Sequence, residues 1–120
     1  MNQILIVEDE ARLAAFVDKG LRKNGFNTFI ATDGEQAILI AESRDFDLML
    51  LDLNLPVKDG WTVLQELRNY GKLFPVIIVT ALSDDQGKAA ALKAGANDYV
   101  TKPFSFKDLL ERVRAQLSAG

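Results

Sequence analysis

Short apolar runs and amphipathic stretches alternate along the whole chain. Residues 4–7, 28–31, 48–51, 76–80 and 99–101 are apolar or β-branched and are bounded by turn residues, which predicts five short strands. Between and after them the spacing changes to that of helices. Leu13, Phe16, Val17 and Leu21 give one apolar face to a helix over residues 10–24, and Gly25 stands where such a helix closes. Asp33 and Gly34 open another. The clearest stripe is the last: Phe106, Leu109, Leu110, Val113 and Leu117 recur at i, i+3, i+4, i+7 and i+11, with Ser105 placed to cap the helix and Asp108 three residues on. The runs LMLL and VIIV are apolar throughout, as strands covered on both faces are. Five repeats of strand then helix predict parallel pairing through right-handed crossovers, a single α/β doubly wound (βα)5 sheet. No repeat, low-complexity tract or shift in composition marks a second domain. Residues 1–117 read as the domain, and Ser118, Ala119 and Gly120 as a linker stub or C-terminal tail.

The composition agrees with this picture and narrows the chemistry. The 120 residues are 48% hydrophobic and 26% charged, the balance of a globular domain with a real core. Cysteine is absent, so neither disulfides nor thiolate metal sites are available. Histidine is absent too, which removes the usual general base and any phosphohistidine on this chain. A net charge of -3 and a pI near 4.9 argue against a nucleic-acid surface on this domain. The opening MNQILIVEDE holds neither a basic leader nor a long apolar segment, so a cytoplasmic location and no membrane contact are expected.

In open sheets of this kind ligands bind beyond the carboxyl ends of the strands, where the winding reverses. Glu8 and Asp9 follow the first strand and Asp52 the third, neighbours in the flavodoxin-like order 2-1-3-4-5; Thr80 ends the fourth and Lys102 follows the fifth. Like charges about 4 Å apart repel by roughly 1 to 4 kcal/mol between water and a surface site, so the acids call for a compensating cation or a raised pKa. Oxygen ligands of this type suit magnesium. An aspartate on a rigid strand end can also act as a nucleophile and form an aspartyl phosphate, with metal and ammonium neutralising the phosphoryl oxygens and Thr80 offering a hydroxyl. Each residue has a plainer reading: Glu8 and Asp9 as helix-terminal acids, Asp52 as the start of a turn, Thr80 as a strand end, Lys102 as a solvated loop residue. The bond from Lys102 to Pro103 is open to the cis form.

The segments IVEDE, LLDLNLPVKDGW, VTA at residues 79–81 and GANDYVTKPF together resemble the receiver domains of bacterial two-component response regulators, most closely those of the winged-helix (OmpR/PhoB-type) transcription factors. The resemblance covers the whole chain in order. It implies that Asp52 is the phosphoacceptor, supplied by a phosphohistidine on a sensor histidine kinase. It further implies Mg2+ (or Mn2+) held by Asp9, Asp52 and the backbone carbonyl of Asn54, with Glu8 acting through water. Lys102 would hold the phosphoryl group, and Thr80 and Tyr99 would form a switch pair. Such a domain is a regulatory element that takes part in its own phosphotransfer and slow autodephosphorylation, not an enzyme. Asn54 and Leu82, the latter where arginine is common in this subgroup, would tune phosphate lifetime.

The resemblance also points to a weak homodimer, stronger when phosphorylated, through the face of the fourth helix, fifth strand and fifth helix, where Lys88, Asp98, Asp108 and Arg112 match the charges used. Asn97 departs from the more usual aspartate. DNA would be reached only through a C-terminal output domain. Three other readings share the architecture. A flavin carrier would need small and glycine residues around a phosphate where EDEAR stands. A phosphohydrolase would need an acid two residues after Asp52, where Asn54 stands. A degenerate, non-phosphorylated binding module is the third; a free-standing receiver that signals by direct protein contact would use the same chemistry without an output domain.

Overall fold

A computed structural model of the chain describes residues 2–81 and 85–118. Leu82 lies outside the described residues, as do Ala119 and Gly120. The elements are β1 (Gln3–Val7), α1 (Ala11–Lys23), β2 (Asn27–Ala31), α2 (Gly34–Ser43), β3 (Leu48–Leu51), α3 (Gly60–Asn69), β4 (Val76–Thr80), α4 (Asp85–Lys93), β5 (Asp98–Thr101) and α5 (Phe106–Ser118). The five strands form one parallel sheet in the order β2-β1-β3-β4-β5, the flavodoxin-like order expected from the alternation. Register is tight: Val7 lies beside Ala31 and Leu51, and Leu51 beside Ile78. α5 includes Ser118, so the helix reaches into the segment read as a tail.

Strand alternation divides the apolar side chains into two cores. Leu5, Val7, Met49, Leu51 and Ile78 face α2 and α3 with Ala37, Val63, Leu64 and Leu67. Ile4, Ile6, Leu48, Leu50, Ile77 and Val79 face α1 and α5 with Val17, Leu21, Leu109 and Val113. The strands LMLL and VIIV are buried at every position. Each fully buried Leu, Ile or Val contributes about 1.5 to 3 kcal/mol, so the central strands hold the sheet far more firmly than any surface ion pair could.

Three of the helices start at a side-chain cap. Asp33 accepts from the Gln36 N–H at 2.8 Å to cap α2, Asp59 accepts from the Thr62 N–H at 2.9 Å to cap α3, and the Ser105 hydroxyl accepts from the Asp108 N–H at 3.1 Å to cap α5. Gly25, at φ +89°, takes the left-handed turn that closes α1.

The edge of the sheet where the strands begin is tied together by Arg68 on α3. All five of its N–H groups donate to neutral acceptors: the Gly95 carbonyl twice at 3.2 and 2.8 Å, the Lys72 and Phe74 carbonyls at 2.8 Å each, and Asn97 Oδ1 at 3.1 Å. Asn97 Oδ1 also accepts from the Val76 N–H at 2.9 Å, and its carbonyl accepts from the Gln116 side chain at 3.3 Å. Burial lowers the Arg68 pKa below its usual value. Among the described residues no helix is long and apolar enough to cross a membrane.

Candidate functional site

The carboxyl ends of β1, β3, β4 and β5 bring together the residues that the sequence singled out. Glu8 follows β1, and its N–H donates to the Ala31 carbonyl at 3.0 Å, so β2 fixes its backbone. The Asp52 N–H is fixed in turn by the Val7 carbonyl at 3.1 Å. Both side chains are buried, Glu8 at 5% exposure and Asp52 at 5%, while Asp9 is exposed. One carboxylate oxygen from each of the three lies within 4.8 Å of the others. At that separation each pair repels by about 3 to 4 kcal/mol at an effective dielectric constant of 20, so a cation nearby is favoured.

Lys102 supplies one. Its ammonium donates to Glu8 Oε1 at 2.8 Å and to Asp52 Oδ2 at 3.2 Å. Its backbone N–H donates to the Thr80 carbonyl at 2.7 Å, which sets the start of the loop after β5, and the Lys102–Pro103 peptide is cis. Burial acts to lower the Lys102 pKa, but the hydrogen bond to Glu8 and the charges of Asp52 and Glu8 outweigh it, and the net shift is upward. The Glu8 pKa is also raised, chiefly by burial, with the Lys102 hydrogen bond opposing. Three carboxylates against one ammonium leave two formal negative charges uncompensated. That charge and the all-oxygen donor set fit a divalent cation of the magnesium type.

An open cleft of about 430 Å³ adjoins Asp52 and Lys102, lined also by Asn54, Asp59, Trp61 and Thr80. The Asn54 N–H donates to Asp52 Oδ1 at 3.2 Å, which orients the carboxylate from the loop side. Gly60 holds Asp52 from behind: a Cβ there would lie 2.3 Å from the Asp52 carbonyl oxygen and 2.6 Å from Leu53 Cα. Sequence reading did not assign that role, although the Asp59-Gly60 pair at the head of α3 was its signal. Thr80 is buried at 2% exposure, and Tyr99 on the adjacent strand is buried at 6%.

The charges assigned to the α4-β5-α5 face also gather, though within one chain. Arg112 Nη1 donates to Asp98 Oδ1 at 2.8 Å and Arg112 Nε to Asp108 Oδ2 at 3.2 Å. Lys88 lines the same groove with Tyr99 and Asp108. Asn97, one residue before Asp98, is engaged by Arg68 and Val76.

Comparison with known proteins agrees with the geometry. Residues 4–114 match the family described as response regulator receiver domain. The chain is 44% identical over 115 residues to the transcriptional regulatory protein HprR of Escherichia coli K12, covering 96% of this chain and 51% of that protein. It thus spans about half the length of the curated relatives it matches. Among solved structures, the receiver domain of the Francisella response regulator 1452 superposes with a TM-score of 0.96 at 33% identity, covering 99% of this chain and 98% of the other. The receiver domain of a sensor histidine kinase from Pseudomonas aeruginosa PAO1, with a magnesium ion coordinated in its active-site cleft, superposes with a TM-score of 0.89 at 33% identity, covering 98% of each chain.

Proposed function

We propose a phosphorylation-driven switch from one premise: this chain belongs to the response regulator receiver domain family of two-component systems. Asp52 is the phosphoacceptor. Its carboxylate attacks the phosphorus of a phosphohistidine on a sensor histidine kinase, an Asp52 O–P bond forms as the P–N bond breaks, and the leaving imidazole nitrogen takes up a proton from solvent. The observation that carries this reading is the buried Asp52 carboxylate, held at a strand end 3.2 Å from the Lys102 ammonium and within 4.8 Å of two further acids.

Each neighbour has a part. Asp9, Asp52 and the Asn54 backbone carbonyl would hold Mg2+ or Mn2+, with Glu8 acting through water, and the bound ion would supply positive charge for the phosphoryl oxygens. Lys102 transfers its hydrogen bonds from carboxylate to phosphoryl oxygen. Thr80 then turns its hydroxyl to the phosphoryl group and Tyr99 follows inward. Hydrogen bonds to charged groups contribute about 1.5 to 3 kcal/mol each, so Thr80 and Lys102 together supply roughly 3 to 6. Reversing a 1:99 equilibrium takes about 5.5 kcal/mol, within that range.

The output surface is the α4-β5-α5 face. Lys88, Asp98, Asp108 and Arg112 form a weak homodimer there, strengthened by phosphorylation. Arg112 already pairs with two acids of its own chain, so dimerisation exchanges ion pairs instead of creating them, and exposed pairs are worth only about 0.2 to 1 kcal/mol each. The transcriptional regulators it resembles are about twice as long, which favours a DNA-binding output domain over a free-standing receiver. The setting is cytoplasmic, and the domain works as a regulator rather than a turnover enzyme.

Intact-mass analysis after incubation with acetyl phosphate and magnesium tests the core of this reading. Gain of one phosphoryl group by the parent and none by Asp52→Ala is expected. A folded parent that gains none, even with a cognate kinase, is a degenerate binding module and sinks the proposal.

A further inference from the structure

We infer that Gly20 is a positioning residue for Lys102, acting through the ring of Phe106; the inference rests on the roles proposed for Asp52 and Lys102. Gly20 stands in the last turn of α1, still within the helix, where glycine weakens a helix relative to alanine. Local preference therefore conflicts with the element, and such conflicts call for a packing or functional reason. The reason is steric. A Cβ at position 20 would lie 2.4, 2.5 and 2.9 Å from Cε1, Cζ and Cδ1 of Phe106, well inside carbon–carbon contact. Phe16, one turn earlier on the same face of α1, meets that ring edge-on, with centroids 6.0 Å apart and planes at 84°. Phe106 is seated in a notch whose floor is the Gly20 backbone and whose wall is Phe16.

Phe106 opens α5 and follows Lys102 by four residues, so this seat fixes the far end of the loop that carries the ammonium. The near end is fixed by the Lys102 N–H on the Thr80 carbonyl, and the Ser105 cap joins loop to helix. α1 begins two residues after Asp9. One helix thus spaces the acidic loop at its start from the seat of the lysine loop at Gly20. The 2.8 and 3.2 Å contacts of Lys102 with Glu8 and Asp52 depend on that spacing. A methyl group at position 20 would push the ring by about 1 Å to regain contact distance. Misplacing a reacting group by about 1 Å costs up to about 100-fold in rate, and the length of the lysine side chain absorbs part of that.

The test is a cycle of Gly20→Ala, Phe106→Leu and the double variant, reading the rate of phosphoryl gain from acetyl phosphate at saturating magnesium by intact mass. Gly20→Ala should be slower by about tenfold and Phe106→Leu by about threefold, because one overfills the notch and the other empties it. The double variant should return to within about twofold of the parent, since the added methyl occupies the space vacated by the ring. Magnesium affinity, followed by Trp61 fluorescence, should stay within about twofold in all three, because the displaced Phe106 ring moves the lysine loop, while Asp9 stands at the opposite end of α1 from Gly20 and Asp52 follows β3. Unchanged rates in the folded single variants, or no recovery in the double, overturn the inference. If Gly20→Ala shows no cooperative unfolding transition, Phe106→Leu decides alone, and a parental rate there overturns it. A parent that takes up no phosphoryl group at all instead overturns the reading of Asp52.

Discussion

Lys102 and Arg68 are both half-buried cations, one at each edge of the sheet, yet their surroundings differ in kind. Lys102 lies between two carboxylates, and Arg68 meets only carbonyls and the Asn97 side-chain oxygen. An ammonium between acids has a second arrangement of similar energy as soon as a metal or a phosphoryl oxygen enters, because each newcomer changes the charge it faces. A guanidinium with every N–H on a backbone or amide oxygen has no such alternative. The nature of the acceptors, more than depth of burial, distinguishes the two edges.

Four substitutions sharpen or break that contrast. Asp52→Ala should abolish phosphoryl gain without lowering stability, because removing one acid relieves repulsion in the cluster. Unfolding of that variant at lower denaturant than the parent would count against the electrostatic account. Lys102→Ala should slow uptake from acetyl phosphate by about 100-fold, the usual scale for losing one preorganised charge at a reacting group. A rate within a few-fold of the parent would remove Lys102 from the chemistry.

At the opposite edge the expected effect is on folding instead. Arg68→Ala leaves several carbonyls without their donor and should cost about 3 kcal/mol in denaturant unfolding, with the rate of phosphoryl uptake by the folded protein unchanged within about twofold. A rate falling in parallel with that of Lys102→Ala would show that the two edges are coupled and the contrast false. The smallest effect belongs to Asn97→Asp. A carboxylate at Asn97 can accept the same two hydrogen bonds and adds a charge beside Arg68, so a gain of at most about 1 kcal/mol is expected, read from the midpoint of the same unfolding curve.

The sheet was legible because its central strands are apolar at every position, a pattern that only a strand covered on both faces needs. The site was legible because Glu8, Asp9, Asp52, Thr80 and Lys102 each abut such a run, so the position of the strand fixes the position of the residue. The sharing of Lys102 between Glu8 and Asp52 was not legible, since it depends on the path of a loop. α4 carries little signal of its own: Ala91 is its one buried residue among those described, so no stripe marks it. Arg68 reads as a basic residue in the last turn of an amphipathic helix, and nothing local shows that its acceptors come from residues 72, 74, 95 and 97. Arg112 was assigned to an interchain role from the resemblance, and its contacts to Asp98 and Asp108 within the chain needed coordinates.

The division of the interior into two cores by a single layer of strands has a consequence for how such a chain changes over time. Val17 packs on one side of the sheet and Val63 on the other, so substitutions at the two positions should combine additively, each side tolerating repacking while the other stands still. The acidic cluster draws on the ends of strands that serve both sides at once. Drift in either core therefore meets its constraint at Asp52, where the two independent halves share one address.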